Sequence, residues 1–377
     1  MTRTYACMKK LGPLSDFLYK KARFGYSSSF KRCVSVESVR GEDFAEELSK
    51  DKRFAAVWGN GDFGRLGLGN LESQRIPKPI LPTAFDDEGL KEIACGGAHT
   101  LFLTERGEVY ATGLNDFGQL GILNSGNYTT EPVRVSSISK RIVKISAGYH
   151  HSAAITEDGE LYIWGKNANG QLGLGKITTS ILVITHSWYQ STEAEKIIFL
   201  PLKVECLEGV SIKAASLGFE HSIAITDNGE ALSWGEGESG RLGHGHESSF
   251  LGFQRSSRVK GFGLTKSATI PSKISMLSSS DQVACGGYHT CVITNGGELY
   301  TWGSNENGCL GIGCTEVTYA PERIKGPFLR QPVKEVSCGW KHTAAISGEA
   351  YEAMFTRGAG VVHMEHLKKM DIHQGDN

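Results

Sequence analysis

Between Ala55 and Ile346 the chain alternates apolar and polar positions in short bursts. His151 to Thr156 sets small or apolar residues against polar ones, Asp158 and Gly159 follow as a two-residue turn signal, and Glu160 to Trp164 resumes the alternation. Asn228 and Gly229 punctuate the next stretch in the same way. A period of two broken by such turns predicts antiparallel strands joined by hairpins, and no long amphipathic helix interrupts them.

The bursts repeat. Gly, two residues, His and then Ser or Thr recurs as Gly96 with His99, Gly148 with His151, Gly218 with His221, Gly286 with His289, and Gly339 with His342. Fourteen residues past the histidine stands another glycine in four copies: Gly113, Gly165, Gly235 and Gly303. Trp164, Trp234 and Trp302 precede three of these, Thr112 fills the place in one, and Trp58 with Gly59 opens the series alone. The pattern continues with Gly five residues on, Leu seven on and Gly eight on, as in Gly165, Gly170, Leu172 and Gly173. A proline and a β-branched residue three further along introduce the next copy: Pro77 and Ile80, Pro132 and Val135, Pro201 and Val204, Pro271 and Ile274, Pro321 and Ile324. Hairpin units that cannot bury both faces alone stack radially, so the expected fold class is all-β, a β-propeller with about five repeats.

The G-x-x-H-[ST] and W-G-x-x-x-x-G-x-L-G phrases resemble the repeats of the regulator of chromosome condensation family over residues 54–346. That resemblance implies a seven-bladed propeller with about 50 residues per blade. It also implies three kinds of function: nucleotide exchange on a small GTPase with chromatin binding, ultraviolet sensing in a plant branch, and non-catalytic platforms that include organelle members.

Successive repeat histidines are 52, 70, 68 and 53 residues apart, so two copies carry extra length, at roughly 176–200 and 246–273. Long loops on a rigid scaffold are where partners bind, which makes Trp188 and Tyr189 in the first, and Arg255, Arg258 and Lys260 in the second, candidate partner contacts. Residues 347–377 match nothing in the repeat. Read from the third base of each codon, their coding message permits the missing Trp-Gly phrase. The tail is therefore expected to be a frame-shifted or alternatively spliced ending, with roughly two of seven blades absent.

Composition changes this picture at one end only. With 40% hydrophobic residues the 377-residue chain can bury a core, and no apolar run is long enough to span a bilayer. The formal net charge of -1 hides a cationic head, because residues 1–36 hold eight Lys or Arg against Asp16 alone. Those cations, spaced by serines, leucines and aromatics, have transit-peptide composition, so residues 1–53 are expected to be a mitochondrial targeting segment and linker. The remainder is acidic and ill suited to indiscriminate phosphate binding, which leaves direct nucleic-acid contact open.

Candidate chemistry is sparse. A histidine recurring at one place in every copy reads as a structural residue tying adjacent strands by a buried hydrogen bond, not as a base or metal ligand. His150, and His244 with His246, fall outside the pattern, yet no acid or thiol stands at ligand spacing, so neither a metal nor a cofactor is expected. Cys95, Cys285 and Cys338, four before a repeat histidine, read as small apolar core residues, and Cys309 and Cys314 sit near a turn. The glycines of Gly59 to Gly64 mimic a dinucleotide fingerprint without its strand and helix, and no serine or cysteine nucleophile is paired with a base. An enzyme is not expected.

The light-sensing branch resembles G-W-R-H-T in successive blades. Here the tryptophan slot holds Gly97, Tyr149, Phe219, Gly287 and Trp340, and the arginine slot Ala98, His150, Glu220, Tyr288 and Lys341, so no coupled indole cluster is expected. The resemblance to mitochondrial members instead implies an organelle platform for protein or ribonucleoprotein partners, in transcript splicing, ribosome assembly or respiratory-chain biogenesis. Exchange activity on a small GTPase is the alternative.

Overall fold

The computed structural model describes residues 53–123, 126–175, 197–245, 267–326 and 331–348. Among the described residues, four antiparallel sheets of four strands follow one another along the chain. They are β3 (Leu90–Cys95), β4 (His99–Thr104), β5 (Val109–Leu114) and β6 (Tyr128–Arg134); β7 (Ile142–Ala147), β8 (His151–Thr156), β9 (Leu161–Lys166) and β10 (Ile197–Lys203); β11 (Ile212–Leu217), β12 (His221–Thr226), β13 (Ala231–Gly235) and β14 (Ala268–Lys273); and β15 (Ser280–Cys285), β16 (His289–Thr294), β17 (Leu299–Gly303) and β18 (Thr318–Arg323). A two-stranded sheet, β1 (Ala55–Gly59) with β2 (Gln74–Ile80), precedes them, and another, β19 (Val333–Cys338) with β20 (Thr343–Ser347), follows. Four blades and two half-blades together carry about five blades' worth of strands, as the repeat predicts.

Register explains the landmarks. In every complete blade the repeat histidine opens the second strand and faces the fourteenth-residue glycine of the third, as His99 with Gly113, His151 with Gly165, His221 with Gly235 and His289 with Gly303. Pro132, Pro201, Pro271 and Pro321 all lie in the fourth strand, the outer edge, where a missing N–H breaks no ladder. The β-branched residue after each then turns inward: Val204 N donates to Leu161 O and Ile274 N to Ala231 O, both at 2.9 Å, and both side chains are buried.

The second strands depart from the alternation read in the sequence. All six residues of β4, β8, β12 and β16 are buried, polar ones included. A blade in the middle of a stack has a neighbour on each face, so its small polar residues meet the next blade instead of water. The core therefore lies between blades: Leu101, Ala153, Trp164, Leu217, Ala224 and Trp234 belong to one cluster running through three of them.

Candidate functional site

The repeat histidine joins blades, not neighbouring strands of one blade. Its Nε2 reaches the hydroxyl that follows the next blade's repeat histidine: His99 to Ser152 at 2.8 Å, His151 to Ser222 at 3.0 Å, His221 to Thr290 at 3.0 Å and His289 to Thr343 at 2.9 Å. Each hydroxyl donates onward to a carbonyl of the Gly-x-Leu-Gly turn, Gln119, Gln171, Arg241 or Cys309 respectively. At three joints the repeat indole donates to the same oxygen: Trp164 to Gln119 at 3.0 Å, Trp234 to Gln171 and Trp302 to Arg241 at 2.9 Å. Thr112, in the indole's place, donates instead to Gly64 O.

This relay fixes the tautomer. A hydroxyl has one proton, and Ser152 spends it on Gln119 O, so it accepts from the imidazole, which must carry its hydrogen on Nε2. The other nitrogen, Nδ1, is buried without a partner among the described residues in His99, His151 and His221. Burial, with nearby positive groups adding to it, drives His99 and His151 down to about 3 and His221 well below its ordinary value. These imidazoles are neutral donors in a protein interior.

The signature glycines clear the space for the relay. A Cβ on Gly148 would stand 2.6 Å from the His151 ring and 2.7 Å from Gly218 O of the next blade. A Cβ on Gly173 would lie 2.8 Å from Trp234 Nε1, and that backbone is also left-handed at φ +67°. The pattern fails only at its ends. Trp58 is 60% exposed, whereas Trp164, Trp234 and Trp302 are fully buried, because no blade among the described residues packs ahead of β1. His342 is likewise exposed, and no following blade receives it among those residues.

The inner strands β3, β7, β11, β15 and β19 line a central channel, and the turns after them form its mouth, around a cavity of about 340 Å³. There the slot residues converge. The rings of Tyr149 and Phe219 are 4.6 Å apart and those of Phe219 and Tyr288 5.3 Å, while Trp340 reaches across the opening to within 5.4 Å of Tyr149 and 5.2 Å of Phe219. Gly97 and Gly287 belong to the same slot because side chains there would strike the Tyr149 and Trp340 rings. An aromatic cluster thus forms, with one indole in it. Trp340 is 44% exposed, and Tyr149, Phe219 and Tyr288 are half-buried.

Charge rings this mouth. Lys166 pairs with Glu220 at 3.0 Å and lies 5.4 Å from the Phe117 ring centroid. The Arg241 guanidinium stacks 4.9 Å from Tyr288, is 1% exposed, and leaves Nη1 without a hydrogen-bond partner among the described residues. Burial lowers its pKa, opposed by Glu236, Glu238 and Glu220. Next to it, Glu238, Arg241, Tyr288, Glu306, Trp340 and Lys341 border a second cavity of about 390 Å³.

The remaining sequence candidates are distributed differently. Trp188, Tyr189, Arg255, Arg258, Lys260 and His246 lie outside the described residues. His244 Nε2 donates to Ser233 Oγ at 2.9 Å, because that hydroxyl gives its proton to Leu242 O. Cys95 is exposed, whereas Cys285 and Cys338 are half-buried and pack against the core on one side; each of the three ends an inner strand and lines the channel. Sequence spacing missed one constellation. Donor atoms of His289, Cys291 and Cys338 fall within 4.8 Å of one another, the two thiols coming from positions 47 residues apart in two blades.

Residues 54–361 match the family model of the RCC1-like domain. The ultraviolet-B receptor UVR8 of Arabidopsis thaliana is 33% identical across 84% of this chain and 75% of its own length. From the same plant, the RCC1 domain-containing protein RUG3, mitochondrial, is 32% identical across 77% of this chain and 72% of its own. The probable E3 ubiquitin-protein ligase HERC6 of Homo sapiens is 29% identical across 82% of this chain, which spans only 27% of that protein. Among solved structures, human WBSCR16 matches with a TM-score of 0.61 at 24% identity, covering 79% of this chain and 68% of that one. Prp20p from Saccharomyces cerevisiae matches with a TM-score of 0.60 at 22% identity, covering 79% and 63%. These two structures speak for the fold.

Proposed function

Because the chain belongs to the RCC1-like domain family, we propose that it is a non-catalytic, mitochondrial propeller platform that binds protein or ribonucleoprotein partners. The observation that carries the reading is the channel mouth, where four aromatic rings stand half open to solvent inside a rim of paired charges. Rigid aromatics beside arginine are what protein interfaces use as anchors. His99, His151, His221 and His289 are spent on holding blades together, so they supply no base.

Location draws support from the mitochondrial Arabidopsis relative and from the cationic composition of residues 1–36. Ribosome assembly, transcript splicing and respiratory-chain biogenesis are the settings in which such a platform is sought. The light response of the ultraviolet-B relative is not carried across, since the slot assembles one indole with Tyr149 and Phe219.

Affinity purification of the full chain from mitochondria tests the reading. Organelle ribosome or splicing factors are expected with the native protein and are lost from a Tyr149→Ala, Trp340→Ala double variant whose circular dichroism is unchanged. Equal recovery from both would remove the mouth from binding. In parallel, the chain should leave labelled nucleotide release from small GTPases unaccelerated; a saturable acceleration would replace the platform with exchange. A reporter carrying residues 1–40 that stayed diffuse would end the mitochondrial assignment.

A further inference from the structure

The repeat places a filling pair at each joint, made by the third residue of a second strand and the last residue of the next blade's inner strand. In chain order these positions hold Leu101 and Ala147, Ala153 and Leu217, Ile223 and Cys285, and finally Cys291 and Cys338. The first three pairs set a branched aliphatic side chain against a smaller one. Only the last has two thiols, and their sulfurs are 3.4 Å apart.

The two cysteines are not equivalent. Cys291 is fully buried in β16, whereas Cys338 is half-buried at the end of β19 and lines the channel cavity beside Gly339 and Trp340. A small solute in the channel therefore meets Cys338 first, with Cys291 directly behind it. Thr343 Oγ1 lies 3.9 and 4.0 Å from the two sulfurs, and the His289 imidazole completes the surroundings, with no carboxylate in the group among the described residues. Since His289 Nε2 is already bonded to Thr343, the imidazole belongs to the joint's latch, and the free chemistry is that of the thiols.

We propose that Cys338 and Cys291 are a peroxide-sensitive dithiol, which closes to a disulfide tying β16 to β19 across the last joint. The contact with Cys291, assisted by His289, holds the Cys338 thiol below its ordinary range, while the same contact and burial push Cys291 up. Because Cys338 faces the channel and Cys291 lies buried behind it, Cys338 supplies the attacking sulfur and Cys291 the resolving thiol. In the first step the Cys338 sulfur attacks one oxygen of hydrogen peroxide; an S–O bond forms, the O–O bond breaks and hydroxide leaves. In the second, the Cys291 sulfur attacks the Cys338 sulfur; the S–S bond forms, the S–O bond breaks, and the departing oxygen leaves as water with the Cys291 proton accounted for. The hydroxide of the first step takes up the proton that Cys338 released on ionising, so over both steps the two sulfurs lose two electrons and peroxide is reduced to two waters. The His289–Thr343 bond need not break.

The repeat itself supplies conservative variants, because Ala147 stands where Cys338 does and Ala153 where Cys291 does. The reduced full-length protein is treated with stoichiometric hydrogen peroxide, and its peptides are mapped by mass spectrometry. A linked Cys291–Cys338 peptide is expected before the exposed Cys95, Cys206 or Cys314 is oxidised. In Cys291→Ala, dimedone should trap a sulfenic acid on Cys338; in Cys338→Ala, oxidation of Cys291 should slow by about tenfold or more. The proposal is overturned if the exposed thiols react first, if Cys338→Ala leaves the rate at Cys291 unchanged, or if the purified chain retains one zinc ion that shields both thiols.

Discussion

The joint around Trp234 and the joint around Cys291 and Cys338 carry the same latch on different fillings. In the first, His151 binds Ser222, and Gln171 O receives both the Ser222 hydroxyl and the Trp234 indole. In the second, His289 binds Thr343 and Cys309 O receives the Thr343 hydroxyl, with thiols at the filling positions. The strand after the latch is buried throughout in the first, whereas β20 is largely open. The spacing between blades is therefore set by a histidine, a hydroxyl and a carbonyl, and the apolar filling is free to change. Free to change also means free to acquire chemistry.

Removing the indole is the severest way to break this comparison. Trp234 is fully buried and its N–H is committed, so Trp234→Ala opens a cavity and leaves Gln171 O with one donor instead of two. A loss of about 3–5 kcal/mol is expected, read as a fall in the urea midpoint. A loss below about 1 kcal/mol would mean that the latch alone holds the blades and that the indole is decoration.

Acid attacks the latches together. The folded-state pKa of His99 and His151 is about 3, below the value of about 6.5 in an unfolded chain, so unfolding takes up protons. Their contribution is complete above about pH 6.5 and is lost progressively as pH falls toward 3, at up to about 1.4 kcal/mol per pH unit for each histidine. Urea midpoints at pH 7.5, 6.5 and 5.5 should decline in that order, and His151→Leu, though less stable at the start, should decline less steeply. A flat series would show that the imidazoles are not buried as neutral donors.

The repeat made the strands and turns legible, because each depends on neighbours close in sequence. Gly159 at the turn between β8 and β9 could be placed from the pattern alone, whereas Pro271, read as introducing the next copy, lies in β14, the outer strand of its own blade. What lay beyond it were contacts between blades. The link from His151 to Ser222 spans 71 residues, so the sequence suggested a tie between strands and not the blade it reaches. Tyr149 and Trp340 meet only because non-adjacent blades curve around one opening. Cys291 and Cys338 read as ordinary small residues until the fold set them against each other. Glycines mislead least, since the rings they make room for recur with them.

The finest discrimination between the joints lies in their hydroxyls. Ser222 is fully buried: Ser222→Ala strands the His151 N–H without an acceptor, while Gln171 O keeps the indole. The penalty for an unmet buried donor, about 1–3 kcal/mol, is expected. Thr343→Val removes the acceptor of His289 in the same way, but Thr343 is half-buried, so water can take its place. That substitution should cost about 1 kcal/mol or less, and the difference between the two urea midpoints measures how dry each joint is. Equal losses would mean that the last joint is as tightly sealed as the one around Trp234. The channel-side approach to Cys338 would then have to be reconsidered, because a joint closed to water is closed to peroxide as well.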